Sequence, residues 1–265
     1  MEDTPLIEIR NLKTYYPIRS GFFNTVQDHN KAVDGVSLKI GRQETYGLVG
    51  ESGSGKSTLG RSILRLQPIT SGQILFEGQD ITTASPKEMM RLRRNIQIIF
   101  QDPYGSLNPR MTVRQIIREP LDTHRIGDKS ARDQEVYRLL DVCGMQRAMA
   151  DRYPHEFSGG QRQRVGIARA LALKPKFIVA DEAVSALDVT VQAQILRLIA
   201  DLQQEFGLSF LFISHDLAVV QHVSHRVGVM HFGKLVEEAT AEELYRNPQH
   251  EYTRKLLSAV PRIIT

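Results

Sequence analysis

Gly50-Glu51-Ser52-Gly53-Ser54-Gly55-Lys56-Ser57-Thr58 decides the fold, because an apolar run, Tyr46 to Val49, leads into it and a helix-like run, Leu59 to Leu66, leads out. Strand, glycine loop and helix follow one another. The spacing fits G-x-x-x-x-G-K-[ST]: the glycines let successive backbone N–H groups curl round a phosphate chain, the lysine reaches the terminal phosphates and the next hydroxyl meets Mg²⁺. Lys56 and Ser57 stand at those two positions. The helix N-terminus adds about half a positive charge facing the same anion. A flexible Gly/Ser turn would need neither a lysine nor a hydroxyl at that offset, so the stretch predicts a nucleotide site.

Composition sets the frame. The chain has 265 residues with 41% hydrophobic content, enough for a sizeable core in one globular unit or in a core with a subdomain. Lys+Arg 34 against Asp+Glu 30 gives net +4, which suits phosphates, an anionic membrane surface or a mixed solvated surface without demanding nucleic acid. The single cysteine, Cys143, excludes a disulfide or a multi-cysteine metal or iron–sulfur site within the chain, and is expected to pack as a small apolar residue. No N-terminal segment joins a basic start to an apolar core, and no apolar run approaches the ~18 residues of a spanning helix. A cytosolic or peripheral chain is expected.

Upstream of the loop, Leu6 to Arg10 alternates like a strand and ends near Tyr15 and Tyr16, and Val36 to Ile40 reads as a second strand. An aromatic there either stacks on a base or packs within a sheet. Between them Ile18 to Asn24, basic and aromatic, reads as a hairpin tip or as a surface for a membrane or nucleic acid. Downstream, Gln73 to Phe76 and Ile96 to Phe100 read as strands, and Gln101-Asp102-Pro103 comes directly after the second. A carboxamide at the C-terminal end of a strand in an α/β sheet sits where ligands bind.

From Val113 to Met149 the apolar residues fall at helical intervals with no strand among them, which predicts a helical insertion. Next comes Ser158-Gly159-Gly160-Gln161, where Ser158 and Gln161 form a capping box for a helix reaching Leu173. Two glycines in a first turn disfavour a helix, which makes sense if an anion must approach the backbone closely. Phe177 to Ala180 is a buried strand ending in Asp181-Glu182, one carboxylate suited to a Mg²⁺ shell and the other to acting on water. Ser185-Ala186-Leu187-Asp188, a helix from Val191 to Phe206, and a strand, Phe210 to Ile213, ending in Ser214-His215-Asp216 complete the series.

Taken together, this ordered set resembles the ATPase subunit of ATP-binding-cassette (ABC) transporters, over nearly the whole chain. The resemblance makes Gly50 to Thr58 (Gly50, Glu51, Ser52, Gly53, Ser54, Gly55, Lys56, Ser57, Thr58) the Walker A motif, Gln101 the Q-loop residue, and Ser158, Gly159, Gly160 and Gln161 the signature motif. It makes Asp181 the Walker B aspartate, Glu182 the general base, Ser185 to Asp188 the D-loop, His215 the switch histidine and Tyr16 the adenine-stacking aromatic. Ser57, Gln101 and Asp181 would then meet Mg²⁺. One departure is Ala183, where many members have proline. It replaces no chemical group. Asn247 to Leu257 looks like the tail motif of the oligopeptide, dipeptide and nickel importer ATPases, with Glu251 in place of that motif's usual proline, and Arg19 to Asn24 and Gln101 to Tyr104 look like its second, F-type subunit.

The resemblance implies an α/β P-loop NTPase core with an antiparallel β part near the N-terminus, residues 1–101 and 161–240. A helical subdomain over 102–160 and a C-terminal helical extension over 241–265 complete the expected single domain. It further implies ATP and Mg²⁺ as cofactors and a second ABC ATPase subunit, copy or paralogue, closing head to tail over two ATPs. Two integral-membrane permease subunits, an extracytoplasmic solute-binding protein and a peripheral place on the cytoplasmic face of the inner membrane are implied as well, with no nucleic acid. Import of di- or oligopeptides is expected, with nickel or another small solute as the alternative. A soluble cassette of DNA repair fits less well, because the stretch from Gln101 to Ser158 is short and proline-bearing where the long-coil type would carry heptads, and one of ribosome work fits less well because such members carry two cassettes in one chain where one is seen here. A small-molecule kinase using the glycine loop alone would leave Ser158 to Gln161 and His215 unexplained.

Overall fold

The computed structural model describes residues 4–20 and 25–258. Its internal contacts divide the chain into two compact units, Met1–Arg91 with Ser209–Thr265, and Leu92–Leu208. The first unit opens with β1 (Ile7–Ser20) and β2 (Thr25–Ile40), paired antiparallel from Ile7↔Ile40 to Ser20↔Thr25. Ile7 and Ile9 are buried and Arg10 is exposed, as strand alternation requires. Both strands far outrun the predicted ones. A register shift at Asn11, whose φ is 46°, and further shifts beyond it let the more polar remainder of the strand stay on the ladder after the alternation has faded. The expected hairpin tip is therefore strand through Ser20, while Gly21, Phe22, Phe23 and Asn24 lie outside the described residues.

β3 (Thr45–Val49) is buried throughout and leads to α1 (Lys56–Ile63). β4 (Ser71–Phe76) pairs antiparallel with β1, and β5 (Gln79–Asp80) with β4, giving a sheet of order β2-β1-β4-β5. α2 (Pro86–Leu92) comes next.

The second unit holds β6 (Ile96–Ile99), α3 (Val113–Thr123), α4 (Lys129–Val142), short 3₁₀ turns at Arg147–Asp151 and Pro154–Glu156, α5 (Gly159–Leu171), β7 (Phe177–Asp181) and α6 (Val189–Phe206). The expected helical stretch is helical. Thr112 caps α3 through a capping box with Gln115, and Asp128 caps α4 by accepting from Ala131 N. Ile116, Ile117, Val136, Leu139, Leu140 and Val165 form its core, and β6 and β7 pair in parallel from Ile96↔Phe177 to Ile99↔Ala180. Cys143 is buried with them, and burial pushes its thiol up to about 12.

The chain then returns to the first unit with β8 (Ser209–Ile213), α7 (Leu217–Val223), β9 (Arg226–His231), β10 (Lys234–Thr240), α8 (Ala241–Arg246) and α9 (Glu251–Ser258). β8 and β9 flank β3 in parallel, and β10 pairs antiparallel with β9. The β9–β10 hairpin has no clear signal in the sequence. Its two linking residues, Phe232 and Gly233, both have positive φ, 46° and 77°, a turn that usually announces itself with Asn or Asp where phenylalanine stands here. Among the described residues no helix is long and apolar enough to cross a membrane.

Candidate nucleotide site

At the C-terminal end of β3 the chain turns through three glycines of positive φ, Gly50 (150°), Gly53 (80°) and Gly55 (103°), before α1 begins at Lys56. Two of them are fixed by their neighbours. A Cβ at Gly50 would lie 2.2 Å from the Met230 carbonyl oxygen, and one at Gly55 1.9 Å from that of Ala32, so only glycine lets the loop pack between the end of β9 and β2. Gly55 is the N-cap of α1 and supplies no side-chain cap, and the first turn carries no acidic residue. A helix start without a side-chain cap is the kind that a bound anion can satisfy.

Lys56 is 3% exposed. Its Nζ donates to Gly50 O at 2.7 Å and to Glu51 O at 2.9 Å, with Ser54 Oγ at 3.5 Å, so the ammonium spans the loop rather than reaching into solvent. Glu51, Ser52 and Gly53 form the exposed crown, and Ser57 and Thr58 are half-buried behind it. His215 comes just after β8, whose pairing with β3 runs to Leu48↔Ile213, so His215 and Gly50 leave the same edge of a parallel pair. That edge is where open α/β sheets bind ligands. Asp216 beside it is taken up in capping α7 through Ala218 N and Val219 N.

On β1, the Tyr16 hydroxyl donates to Gln67 Oε1 at 2.8 Å, and Tyr15 donates to Asp34 at 2.5 Å. Lys31 lies 5.9 Å from the centre of the Tyr15 ring. Hydrogen bonding to Asp34 holds the Tyr15 phenol above its ordinary range.

The second unit carries the carboxylates. Asp181 ends β7 fully buried, and Glu182 after it takes a left-handed φ of 48°, a backbone state that costs a non-glycine residue about 1–3 kcal/mol and gathers at functional sites. Ser185 holds the turn, donating from both N and Oγ to Glu182 O at 3.1 and 3.0 Å. Gln101 Nε2 donates to Glu182 Oε2 at 2.8 Å. The structure therefore joins two residues that the sequence placed at the ends of separate strands.

α5 begins as the sequence predicts. Ser158 Oγ accepts from Gln161 N at 3.4 Å while Gln161 Oε1 accepts from Ser158 N at 3.0 Å. The glycines also pack closely: a Cβ at Gly160 would lie 2.4 Å from Val191 Cγ1 of α6, and one at Gly159 3.3 Å from Leu187 Cδ2, so the segment around Asp188 leaves Gly160 no room for a side chain. Asp188 itself is the N-cap of α6, accepting from Val191 N at 3.0 Å.

Among the described residues no group of three or more His, Cys, Asp or Glu is placed to hold a metal ion. The residues proposed from sequence for Mg²⁺, namely Ser57, Gln101 and Asp181, are all oxygen donors with one carboxylate. That set fits a cation that keeps several waters and takes much of its shell from phosphates. The sequence reading missed Tyr252, whose hydroxyl accepts from Glu51 N at 3.1 Å. Nothing in the local pattern marks a tail tyrosine as a neighbour of the loop.

Comparison with known proteins accords with this geometry. The ABC transporter family model matches residues 33–185, more than half of the chain, and the C-terminal region of the oligopeptide/dipeptide transporter family matches residues 236–264. The oligopeptide transport ATP-binding protein AppF of Bacillus subtilis is 56% identical over 97% of this chain and 78% of AppF. The glutathione import ATP-binding protein GsiA of Salmonella typhimurium is 54% identical over 98% of this chain, which spans 42% of that longer protein. Among solved structures, the dimeric post-hydrolysis state of the ATP-binding cassette MJ0796 bound to ADP and Pi superposes with a TM-score of 0.78 at 28% identity, over 89% of this chain and 98% of that one. With the glycine loop, the capped α5 and the strand-end carboxylates in place, the chain belongs to the ABC transporter family, as an ABC ATPase that carries the C-terminal region of the oligopeptide/dipeptide transporters.

Proposed function

We propose that this ATPase powers import of di- or oligopeptides by closing head to tail on a second ABC subunit over two ATPs. The observation that carries the reading is the loop from Gly50 to Thr58, with Lys56 buried across it and an uncapped helix start behind it. Its pairing with the C-terminal match over residues 236–264 supports the peptide class, as do the names of AppF and GsiA.

In this proposal the backbone amides of the loop and Lys56 bind the phosphates, and the Tyr16 ring stacks on adenine. Glu182 accepts the proton of the attacking water. His215 and Gln101 sense the γ-phosphate region. Ser158 to Gln161, with Asp188, act on the ATP held by the partner subunit. Ser57, Asp181 and Gln101 would hold Mg²⁺, which when bound supplies charge neutralisation to the phosphates. The Gln101–Glu182 hydrogen bond keeps the carboxylate oriented, and the left-handed turn at Glu182 fixes where the carboxylate leaves the strand.

Residues 102–160 serve as the helical subdomain that docks on two integral-membrane permease subunits at the cytoplasmic face of the inner membrane, fed by an extracytoplasmic solute-binding protein. The test is reconstitution of the chain with the membrane proteins that co-purify with it, then ATPase rates with and without peptide and binding protein. Peptide-dependent stimulation supports the proposal. Failure of the chain to associate with any membrane protein rejects import, and stimulation by Ni²⁺ but not by peptides moves the cargo to the metal class.

A further inference from the structure

The C-terminal helix α9 lies outside the part of the chain matched by the ABC transporter model, yet it is attached to the phosphate loop within the first unit. Its approach is fixed from β10. The Glu237 carboxylate accepts from Gln249 N at 2.7 Å and from His250 N at 2.9 Å, and His250 Nδ1 accepts from Tyr252 N at 3.1 Å. Tyr252, 6% exposed, then stacks on His231 with ring centres 3.7 Å apart and planes 18° apart. His231 ends β9, and two residues on, Gly233 N donates to Ser54 O at 3.0 Å. The loop is therefore held at two points by the C-terminal part of the chain, through Tyr252 at Glu51 and through Gly233 at Ser54.

Glu51 is where these contacts converge. Its N–H donates to the Tyr252 hydroxyl at 3.1 Å, while its carbonyl accepts both Lys56 Nζ at 2.9 Å and Ser54 N at 3.2 Å. One residue's backbone thus receives the lysine on one side and is tied to the tail tyrosine on the other. The hydroxyl fixes one N–H of an otherwise exposed crown, and a loop that must be reordered by its ligand binds that ligand more weakly. The stacked ring leaves the hydroxyl little freedom to move away.

We infer that Tyr252 is a positioning residue for the phosphate loop: its hydroxyl holds Glu51, and through Glu51 the Lys56 ammonium, in the arrangement that receives the phosphates of ATP. This rests on the nucleotide reading of the loop and adds to it a dependence of ATP affinity on the C-terminal region. The role is pre-organisation of binding rather than chemistry, so it acts on Kd and KM and leaves the hydrolytic step alone. Tyr252→Phe isolates it, because the ring and its stack on His231 remain and only the hydroxyl goes.

The experiment compares wild type, Tyr252→Phe and Lys56→Ala in the full chain, reading ATP Kd by nucleotide titration, KM and kcat by steady-state hydrolysis, and backbone amide exchange at Glu51 and along α9. For Tyr252→Phe, Kd and KM are expected to rise about three- to tenfold, the span of one hydrogen bond, with kcat within about twofold. Exchange at Glu51 should accelerate about tenfold while the α9 amides keep their protection. A merely structural tyrosine would instead deprotect α9. Tyr252→Phe matching wild type in Kd and in Glu51 exchange, with Lys56→Ala impaired, overturns the inference alone. Equal ATP affinity in wild type and Lys56→Ala overturns the nucleotide reading and the inference with it.

Discussion

Two helices of this protein start from glycine-rich turns, and they are finished in opposite ways. At α1 the N-cap is Gly55, in a left-handed conformation, with no side chain returning to the first turn. At α5 the N-cap is Ser158, extended, with a complete capping box to Gln161. The chain caps the second helix start with its own side chains and places no side-chain cap on the first, across whose loop Lys56 is buried. Gly160 also has a packing role: its missing side chain makes room for Val191. In the proposed function, the helix start that takes the chain's own phosphate differs from the one presented to a partner by its cap, more than by its glycines.

The largest expected effect concerns the chemical step, with ATP bound at α1 as proposed. Glu182→Gln should lower ATP turnover about 10²–10⁴-fold, the usual cost of removing a general base, with ATP still bound. Single-turnover hydrolysis beside nucleotide titration checks both halves, and normal turnover would remove Glu182 from the chemistry. Lys56→Ala attacks the α1 side directly. Loss of a charge-assisted contact to the terminal phosphates should reduce kcat/KM about 10²-fold and weaken ATP binding, and unchanged kinetics would dissolve the contrast between the two helix starts.

Ser158→Ala sharpens the contrast from the other side. Removing the cap should destabilise the fold by about 1 kcal/mol, and ATP binding to the isolated chain should stay at the wild-type level while hydrolysis by the assembled pair falls. Denaturant unfolding and titration of the monomer check this. ATP affinity lost in the monomer would make α5 an anion site for its own chain. The smallest effect is expected of Gln101→Ala, which frees Glu182 Oε2 from this donor. The basal rate should change about two- to threefold, the scale of one exposed hydrogen bond. Stimulation by cargo in the reconstituted complex should fall further than that, and equal stimulation in both proteins would reject a coupling role for Gln101.

Much of the site was legible because its rules are local. The Gly50 to Thr58 spacing, the Ser158–Gln161 box and the buried run before Asp181 each act through neighbours three or four residues away, or through the burial of one short strand. The long hairpin was less legible. Beyond Asn11 the bulged ladder of β1 keeps its pairing but not its alternation, so period-2 patterning stops well before the strand does. Phe232 hid the β9–β10 turn by standing where the local code expects Asn or Asp.

By itself, then, the sequence determined a strand–loop–helix of phosphate-loop pattern, a capped α5, strand-end carboxylates, and a helical stretch between Val113 and Met149. Only the tertiary structure decided which distant residues meet. Gln101 and Glu182 are 81 positions apart, and Glu51 and Tyr252 are 201 apart. Gly50 must be glycine because the Met230 carbonyl lies against it. The physical reason is that such pairs are joined by strand register and helix packing rather than by chain proximity: β3 alone is aligned by β8 on one side and β9 on the other, through residues more than 150 positions downstream. Local propensity can name the group that each residue offers. The partner that receives it is chosen when the sheet forms.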